Sequence, residues 1–337
     1  MRMKKEYVTF LTIFFVITPF VAAIICLGVG RYEMTVFETL ETIIDGMMGR
    51  EVDPTVQSVL FKVRLPRIIL ALFVGAGLAV AGTSFQALFS NPLATPDTLG
   101  VATGASFGAV LALLFSHNSV IVQFSALIFG LLSLLITCLV SKLNGKSSII
   151  MVVLSGMVVS SIFQALVSLV KYTADTEEKL PAITYWLMGS MSRATVSGLL
   201  IGAPFIVIGI VILFTLRWRL NILSLNEDEA KSLGVDVKKI RVLVMIAATM
   251  VTASCVSMCG QVGWVGLLVP HAARMIYGSD NKKLIPAGIG MGATFMIIID
   301  TVARASISAE IPVSILTALI GAPFFVLLLR KTGGARL

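Results

Sequence analysis

Charge is what this sequence has least of. Only 13% of its 337 residues are Asp, Glu, Lys or Arg, about half the ~25% of an ordinary soluble domain. With 57% hydrophobic residues and a mean hydropathy of +0.97, the chain cannot cover itself with polar surface, which excludes a water-soluble globular protein. Other absences narrow the chemistry. No GxxxxGK[ST] loop occurs, so the chain carries no phosphate cradle of that kind; no GxSxG or HExxH motif and no pair of catalytic acids occurs, which argues against an intramembrane enzyme. None of the four cysteines, Cys26, Cys138, Cys255 and Cys259, forms a CxxC pair. Cys255 and Cys259 share a helix face but have no His beside them, so all four read as small buried residues rather than metal ligands or a disulfide. His271 stands alone after Pro270 and reads as a helix-shaping residue, not a ligand. The 15 methionines are spread through the apolar runs and read as packing.

What is present is a succession of apolar runs. Runs long enough to cross ~30 Å of hydrocarbon lie near 7–29, 65–88, 97–115, 119–140, 148–170, 197–216, 241–259, 262–277, 284–304 and 312–330. They predict an all-α polytopic membrane protein of about ten helices, a single transmembrane domain over 1–337. The eighth run is short. The first run is too long for the core of a signal peptide, ~7–15 residues, and is read as a retained span. The net charge of +8 does not point to nucleic acid, because the basic residues cluster in short gaps between runs. With the N-terminus inside and the runs alternating, about 17 of the 26 Lys and Arg fall on the inner side, as the positive-inside rule expects. Both termini are then cytoplasmic. The segments near 30–64 and 171–196 fall outside and hold many of the acids, among them Glu38, Glu41, Asp45, Asp175, Glu177 and Glu178. Gly100, Gly104 and Gly108, and later Gly288 and Gly292, repeat every fourth residue. That spacing lets backbones approach closely, inside one subunit or between two.

The most informative polar stretch is 220–239, LNILSLNEDEAKSLGVDVKK, on the inner side by charge. Ser224 with Glu227 fits a capping box, Asp228 and Glu229 add negative charge at a helix start, and Gly234 suits a left-handed stop. A short helix over about Leu225–Leu233 is predicted, then a turn and a second short segment. Such an element can be a mere connector, or a docking helix that fits the groove of a motor protein.

Several motifs taken in order decide how to read it. Arg64-Leu-Pro-Arg67 precedes GAGLAVAGTSFQALFSNPLATPDTLGVATGASFGA at 75–109; then come Tyr185-Trp-Leu-Met-Gly-Ser190, Gly263-Trp-Val-Gly-Leu-Leu-Val-Pro-His-Ala-Ala-Arg274, Asp300-Thr-Val-Ala-Arg304, Glu310-Ile-Pro-Val-Ser314 and Gly321-Ala-Pro-Phe-Phe325. Together they resemble the FecCD-type permeases of ATP-binding-cassette (ABC) importers, which take up ferric siderophores, haem and cobalamin, and the resemblance runs from the second helix to the C-terminus. It implies type II importer permease architecture: two permease chains paired in the membrane, alike or related, two ATPase subunits on the cytoplasmic side, and an extracytoplasmic substrate-binding protein. ATP and Mg belong to the ATPases, and this chain holds no cofactor or metal. A ferric siderophore, of hydroxamate type for instance, is the expected cargo, with haem or cobalamin as alternatives. An ion-coupled secondary transporter is the contrasting reading. It normally needs acids or broken helices at mid-membrane, and Asp300, the one tempting acid, lies near a helix end.

The resemblance also assigns residues. Arg64 and Arg67, three apart at the outer end of their run, and Arg304 at another outer end, match arginines that receive acidic residues of the binding protein, a task suited to guanidinium–carboxylate geometry. Read from the sequence alone, these arginines could instead snorkel to headgroups, and Asp300, one turn before Arg304, could pair with it. Asn91 and Leu93, around a Pro that stops the helix, match the cytoplasmic gate, with Ser147 and Ser148 opposite. Leu225, Glu227, Glu229, Ala230 and Gly234 match the loop that contacts the ATPase, although Asn226 stands where the family usually has Gly.

Overall fold

The computed structural model describes residues 5–32, 34–50, 52–116, 118–142, 149–223 and 227–332, and among these it contains helices and no strand. Ten long helices follow the ten apolar runs: α1 Lys5–Gly28, α2 Leu65–Leu88, α3 Val101–Phe115, α4 Ser119–Ser141, α5 Ile149–Thr173, α6 Val196–Thr215, α7 Val237–Cys259, α8 Val265–Tyr277, α9 Asn281–Ser306 and α10 Val313–Thr332. Six of the described helices are long and apolar enough to cross a bilayer by length and composition. α8 is not one of them. Its 13 residues reach about 20 Å at ~1.5 Å per residue, short of the ~30 Å hydrocarbon layer. Between α7 and α8 the chain runs as the non-helical segment 260–264, which leaves α7 at Gly260 and enters α8 through Trp264, both with positive φ. Backbone of this kind survives at membrane depth only where protein surrounds it; here Gly260 lies against Trp186 and Gly189.

Two departures from the predicted boundaries have local causes. The second span does not begin at Leu65. A π-helical stretch, Ser58–Arg64, runs into it and makes one continuous helix, Pro54–Leu88. Pro66 has no N–H and crowds the turn before it, and the wider π turn accommodates it: the Leu65 N–H bonds back to Leu60 O, five residues away. The segments between spans also hold helices that the apolar pattern does not reveal, Val36–Met47 and Lys179–Leu187, because at 12 and 9 residues neither is a spanning run.

The core is built on small residues. α2 is the most enclosed span, 83% buried over its apolar window, whereas α5 and α6 are 33% and 28% buried. α2 and α9 pack antiparallel with Gly75 against Gly292: a Cβ built on Gly75 would lie 2.1 Å from Gly292 O, and one on Gly292 would lie 2.3 Å from Gly75 O. One turn further along, Gly288 faces Ala79. The other repeat does the same job elsewhere. Gly100, the residue that caps α3, and Gly104 and Gly108 within it meet Ser133, Phe129 and Ser125 of α4. Both glycine repeats therefore bring helices of this one chain together.

Candidate functional site

At the end of the bundle where α1 stops and α2 starts, three arginines and two carboxylates form a buried cluster. Arg64, Arg67 and Arg304 are only 3%, 4% and 8% exposed. Arg67 is held by two acids: its Nε donates to both oxygens of Asp300 at 2.8 and 2.9 Å, and its Nη1 to both oxygens of Glu310 at 3.0 Å. Asp300 is enclosed, whereas the Glu310 side chain keeps 24% exposure. Glu310 also sits at φ +54°, a backbone cost that non-Gly residues seldom carry. Arg64 does a different job. Its Nη1 donates to Leu27 O at 2.6 Å and Gly28 O at 3.2 Å, and its Nη2 donates to Tyr32 O. Arg304 Nη2 donates to Cys26 O. Cys26, Leu27 and Gly28 are the last residues of α1, whose carbonyls have no partner within the helix, so two guanidiniums cap that end and complement its negative dipole.

The placement of the charges decides between pairings that the sequence leaves open. Asp300 does not pair with Arg304, one turn along its own helix. It faces α2 and takes Arg67, while the orphan carbonyls of α1 take Arg304. None of the three arginines presents an open guanidinium at the surface. The backbone of 27–32 covers Arg64 and Arg304, with Gly30 directly over both side chains, and Glu310 shields Arg67. Arg31, exposed above the cluster and not singled out from the sequence, ties the same layer together by donating to Ile307 O and Ser308 O at 2.6 Å.

At the opposite end, α2 gives way to an Asn-Pro-Leu turn. Asn91 Oδ1 accepts the Leu93 N–H at 2.9 Å, and Asn91 O accepts the Ala94 N–H at 3.1 Å. The turn is therefore self-contained, and Leu93 projects into the open, 48% exposed. Beside it lies a cavity of about 500 Å³ lined by Gln86, Asn91, Asn221, Arg274 and Asn281, among others. Arg274 reaches into it from α8, and its Nη2 donates to Gln86 Oε1 at 2.5 Å. Ser147 and Ser148 lie outside the described residues.

The predicted short helix is present as Glu227–Ser232. Leu225, Ser224 and Asn226 lie outside the described residues, as does the Glu227 side chain, so the capping box is not among the contacts described. The helix ends as the sequence requires: Gly234 has φ +74°, and the Val235 N–H returns to Ala230 O at 3.2 Å, a Schellman closure. Ala230 is fully buried while Glu229 is exposed, so one face rests on the bundle and the other is free. The second short segment expected after the turn is instead the first turn of α7, because Asp236 caps it by accepting the Lys239 N–H at 3.2 Å. The backbone N–H of Lys239 holds the Asp236 carboxyl below its ordinary pKa.

Sequence reasoning passed over one stretch. On α5 the intermediate Ser160 and the exposed Ser161, Gln164 and Ser168 follow one another at helical spacing. Ser161 and Ser168 return their hydroxyls to carbonyls of their own helix at 2.9 and 3.0 Å. The Gln164 amide makes no bond among the described residues. It stands nine residues, about 13 Å at ~1.5 Å per residue, inside the Thr173 end of the helix. An amide facing hydrocarbon at that depth would go unsatisfied at a cost of several kcal/mol. A lone Gln inside a run of Val, Ile and Leu was the available signal.

The model of the FecCD transport family matches residues 17–331. The chain belongs to that family. It is 44% identical over 322 residues, 95% of this chain and 94% of the relative, to the molybdate import system permease protein MolB of Haemophilus influenzae. It is 37% identical over 277 residues, 82% and 83% of the two chains, to an iron chelatin transport system permease protein of Helicobacter pylori. Among solved structures, an inward-facing metal-chelate type ABC transporter superposes with a TM-score of 0.86 at 43% identity, covering 95% of this chain and 98% of that one. The fold is thus that of a type II ABC-importer permease, and the protein is an integral membrane transport subunit.

Proposed function

We propose that this permease imports a metal-bearing anion of the molybdate class across the bacterial cytoplasmic membrane. The observation that carries the reading is the 44% identity, sustained over 95% of the chain, with a molybdate permease. A ferric siderophore is the second reading, favoured by the iron chelatin relative at 37%. Two permease chains pair, alike or related, with both termini of each in the cytoplasm. Two ATPase subunits, which hold the ATP and Mg, grip the Glu227–Ser232 helix; Glu227, Glu229 and Gly234 with Leu225 form that contact, and the buried Ala230 seats the helix on the bundle. An extracytoplasmic binding protein docks at the arginine end. Glu310 is the cluster's partly exposed acid, so a docking carboxylate meets Arg67 at the edge Glu310 occupies, with Arg64 and Arg304 supporting the pocket from below.

The cargo passes between the two permeases along α5. The unsatisfied Gln164 amide supports this: a polar stripe on a face left open in the single chain suits a water-lined path or a partner helix and does not suit lipid. Asn91 and Leu93, with Ser147 and Ser148, close the inner end of that path. ATP binding draws the two docking helices together, and rigid-body motion opens one gate as the other shuts.

The test uses proteoliposomes holding the permease with its cognate ATPase and binding protein. ATP-dependent accumulation of radiolabelled molybdate, and not of ferric siderophore, is expected. Accumulation of the siderophore alone would establish the second reading, and uptake that persists with a hydrolysis-dead ATPase would overturn both.

A further inference from the structure

The helix Val36–Met47 belongs to neither the transport path nor the arginine cluster, and its faces divide into three. Projected at ~100° per residue, Phe37, Leu40, Ile44 and the cap residue Met48 fall within an arc of about 80°. They are exposed by 85%, 37%, 50% and 64%. Glu38, Glu41 and Asp45 occupy the next arc of about 60°. Thr39 and Thr42, which are buried, and Ile43, which packs on the core, fill the arc beyond. The helix therefore rests on the protein through Thr39, Thr42 and Ile43 and turns Phe37, Leu40, Ile44 and Met48 away from it. That is the reverse of the order burial would choose if water lay on the far side.

The structure assigns this apolar arc to the bilayer surface: the helix lies flat at the arginine end of the protein with Phe37, Leu40, Ile44 and Met48 among lipid chains at the headgroup boundary. Continuity argues for lipid as the occupant. α1, which ends eight residues before the helix begins, exposes Ile13, Phe14, Ile17, Phe20, Val21 and Ile24, the side of a spanning helix that lipid covers. The short helix folds back onto the end of α1, where a Cβ on Gly28 would stand 3.3 Å from Val36 Cγ2. Its apolar arc thus begins where the lipid-facing side of α1 ends. Twelve residues reach about 18 Å, too short to cross and ample to lie in the interface. The acidic arc borders the apolar one and keeps its carboxylates in the water and headgroup layer. The helix is held formed independently of lipid: Thr35 Oγ1 accepts the Glu38 N–H at 3.1 Å, and Glu38 Oε2 accepts the Thr35 N–H at 2.7 Å. Through Gly46, whose added Cβ would meet Phe61 at 3.3 Å, the same helix braces the π-helical entry to α2 and so sets the depth of Arg64 and Arg67 relative to the membrane surface.

The test is collisional accessibility of spin labels in the full chain, reconstituted in nanodiscs of phosphatidylethanolamine and phosphatidylglycerol. Phe37→Cys, Leu40→Cys, Ile44→Cys, Glu41→Cys and Asp45→Cys are made singly in a chain whose four native cysteines are replaced by Ser or Ala. Oxygen, which partitions into lipid, should outcompete a water-soluble nickel chelate severalfold at 37, 40 and 44, with the ratio inverted at 41 and 45. Equal nickel accessibility at 37 and 45 would place the arc in water and overturn the assignment. Exclusion of both reagents would place a protein there and overturn it equally. A second measurement leaves the cysteines untouched. Phe37→Ser with Leu40→Ser should raise hydrogen exchange over 35–48 in nanodiscs and leave it unchanged in detergent-free amphipol, where no bilayer surface exists. The same rise in both media would show that the two side chains serve packing alone.

Discussion

The close approach of α2 and α9 gives the sharpest quantitative test. Gly75→Ala places a methyl 2.1 Å from Gly292 O, 2.7 Å from Gly292 C and 2.8 Å from Met296 Cβ. Ordinary contact begins near 3.4 Å, so the two backbones must part by roughly 1.3 Å, and both walls are main chain that no rotamer change can move. Overpacking of this kind costs ~1–3 kcal/mol and at times more. The displacement also pulls on Arg67 and Asp300, two turns along in the same antiparallel register. Gly77→Ala, on the same helix, meets only the side chains of Val251, Cys255 and Ile206 at 2.9–3.1 Å, which can yield. Gly263→Ala meets nothing within 4 Å. Thermal unfolding in detergent, followed by loss of the monodisperse elution peak, should rank the three: Gly75→Ala strongly destabilised, Gly77→Ala mildly, Gly263→Ala like the parent. A Gly75→Ala protein as stable as Gly263→Ala would refute the claim that small residues, rather than larger interlocking side chains, hold this core.

Arg67→Ala leaves Asp300 buried without its partner and should cost ~3–5 kcal/mol; Arg67→Met combined with Asp300→Asn should recover much of that loss, measured as a double-mutant cycle on the same unfolding transition. Gln164→Leu should lower cargo uptake severalfold in proteoliposomes while ATP hydrolysis by the docked ATPase continues, and unchanged uptake would remove α5 from the path. Gly234→Val forces a β-branched residue to φ +74° at ~1–2 kcal/mol and should loosen the Glu227–Ser232 helix, seen as reduced stimulation of the ATPase by the loaded binding protein. The Thr35 N–H, and after it the Thr35 hydroxyl, lower the Glu38 pKa below its ordinary 4.5. The contribution of that cap is therefore complete above the ordinary value and lost only as pH falls through the depressed one, so exchange protection over 35–48 should hold from neutral pH down to about 5.

The spans were legible because a bilayer imposes a length and a polarity that few other folds share. All ten apolar runs became helices, and the short α8 was visible as a short run. What periodicity could not show was where polar groups go once several helices meet. Asp300 and Arg304 sit at pairing distance along one helix, and a sequence read in one dimension joins them. In three dimensions α2 brings Arg67 to the acid and α1 brings bare carbonyls to Arg304, and the contest is decided by elements more than 200 residues apart in the chain. The short helices between spans escape an apolar-run pattern for the opposite reason: Val36–Met47 is signalled only locally, by Thr35 with Glu38, and Lys179–Leu187 starts without a side-chain cap.

The arginine cluster is where stability and the proposed docking role pull against each other. A docking site needs guanidiniums that a partner's carboxylate can reach, and a membrane bundle needs every polar group at its rim satisfied. Here the second demand is met in full by this chain alone for Arg67, whose two acids leave it neutralised before any partner arrives. The two acids are not equivalent, however. Asp300 is enclosed on α9 and cannot leave without unpacking the glycine contact two turns below it. Glu310 stands on a six-residue connection between α9 and α10, partly exposed and in a backbone conformation that costs energy to keep. In the proposed docking, a partner's carboxylate therefore competes with Glu310 and not with Asp300. Glu310 lies three residues before Val313, the start of α10, whose N–H donates to Gly189 O at 3.0 Å. On the docking reading proposed above, docking strength and the position of α10 are linked through Glu310.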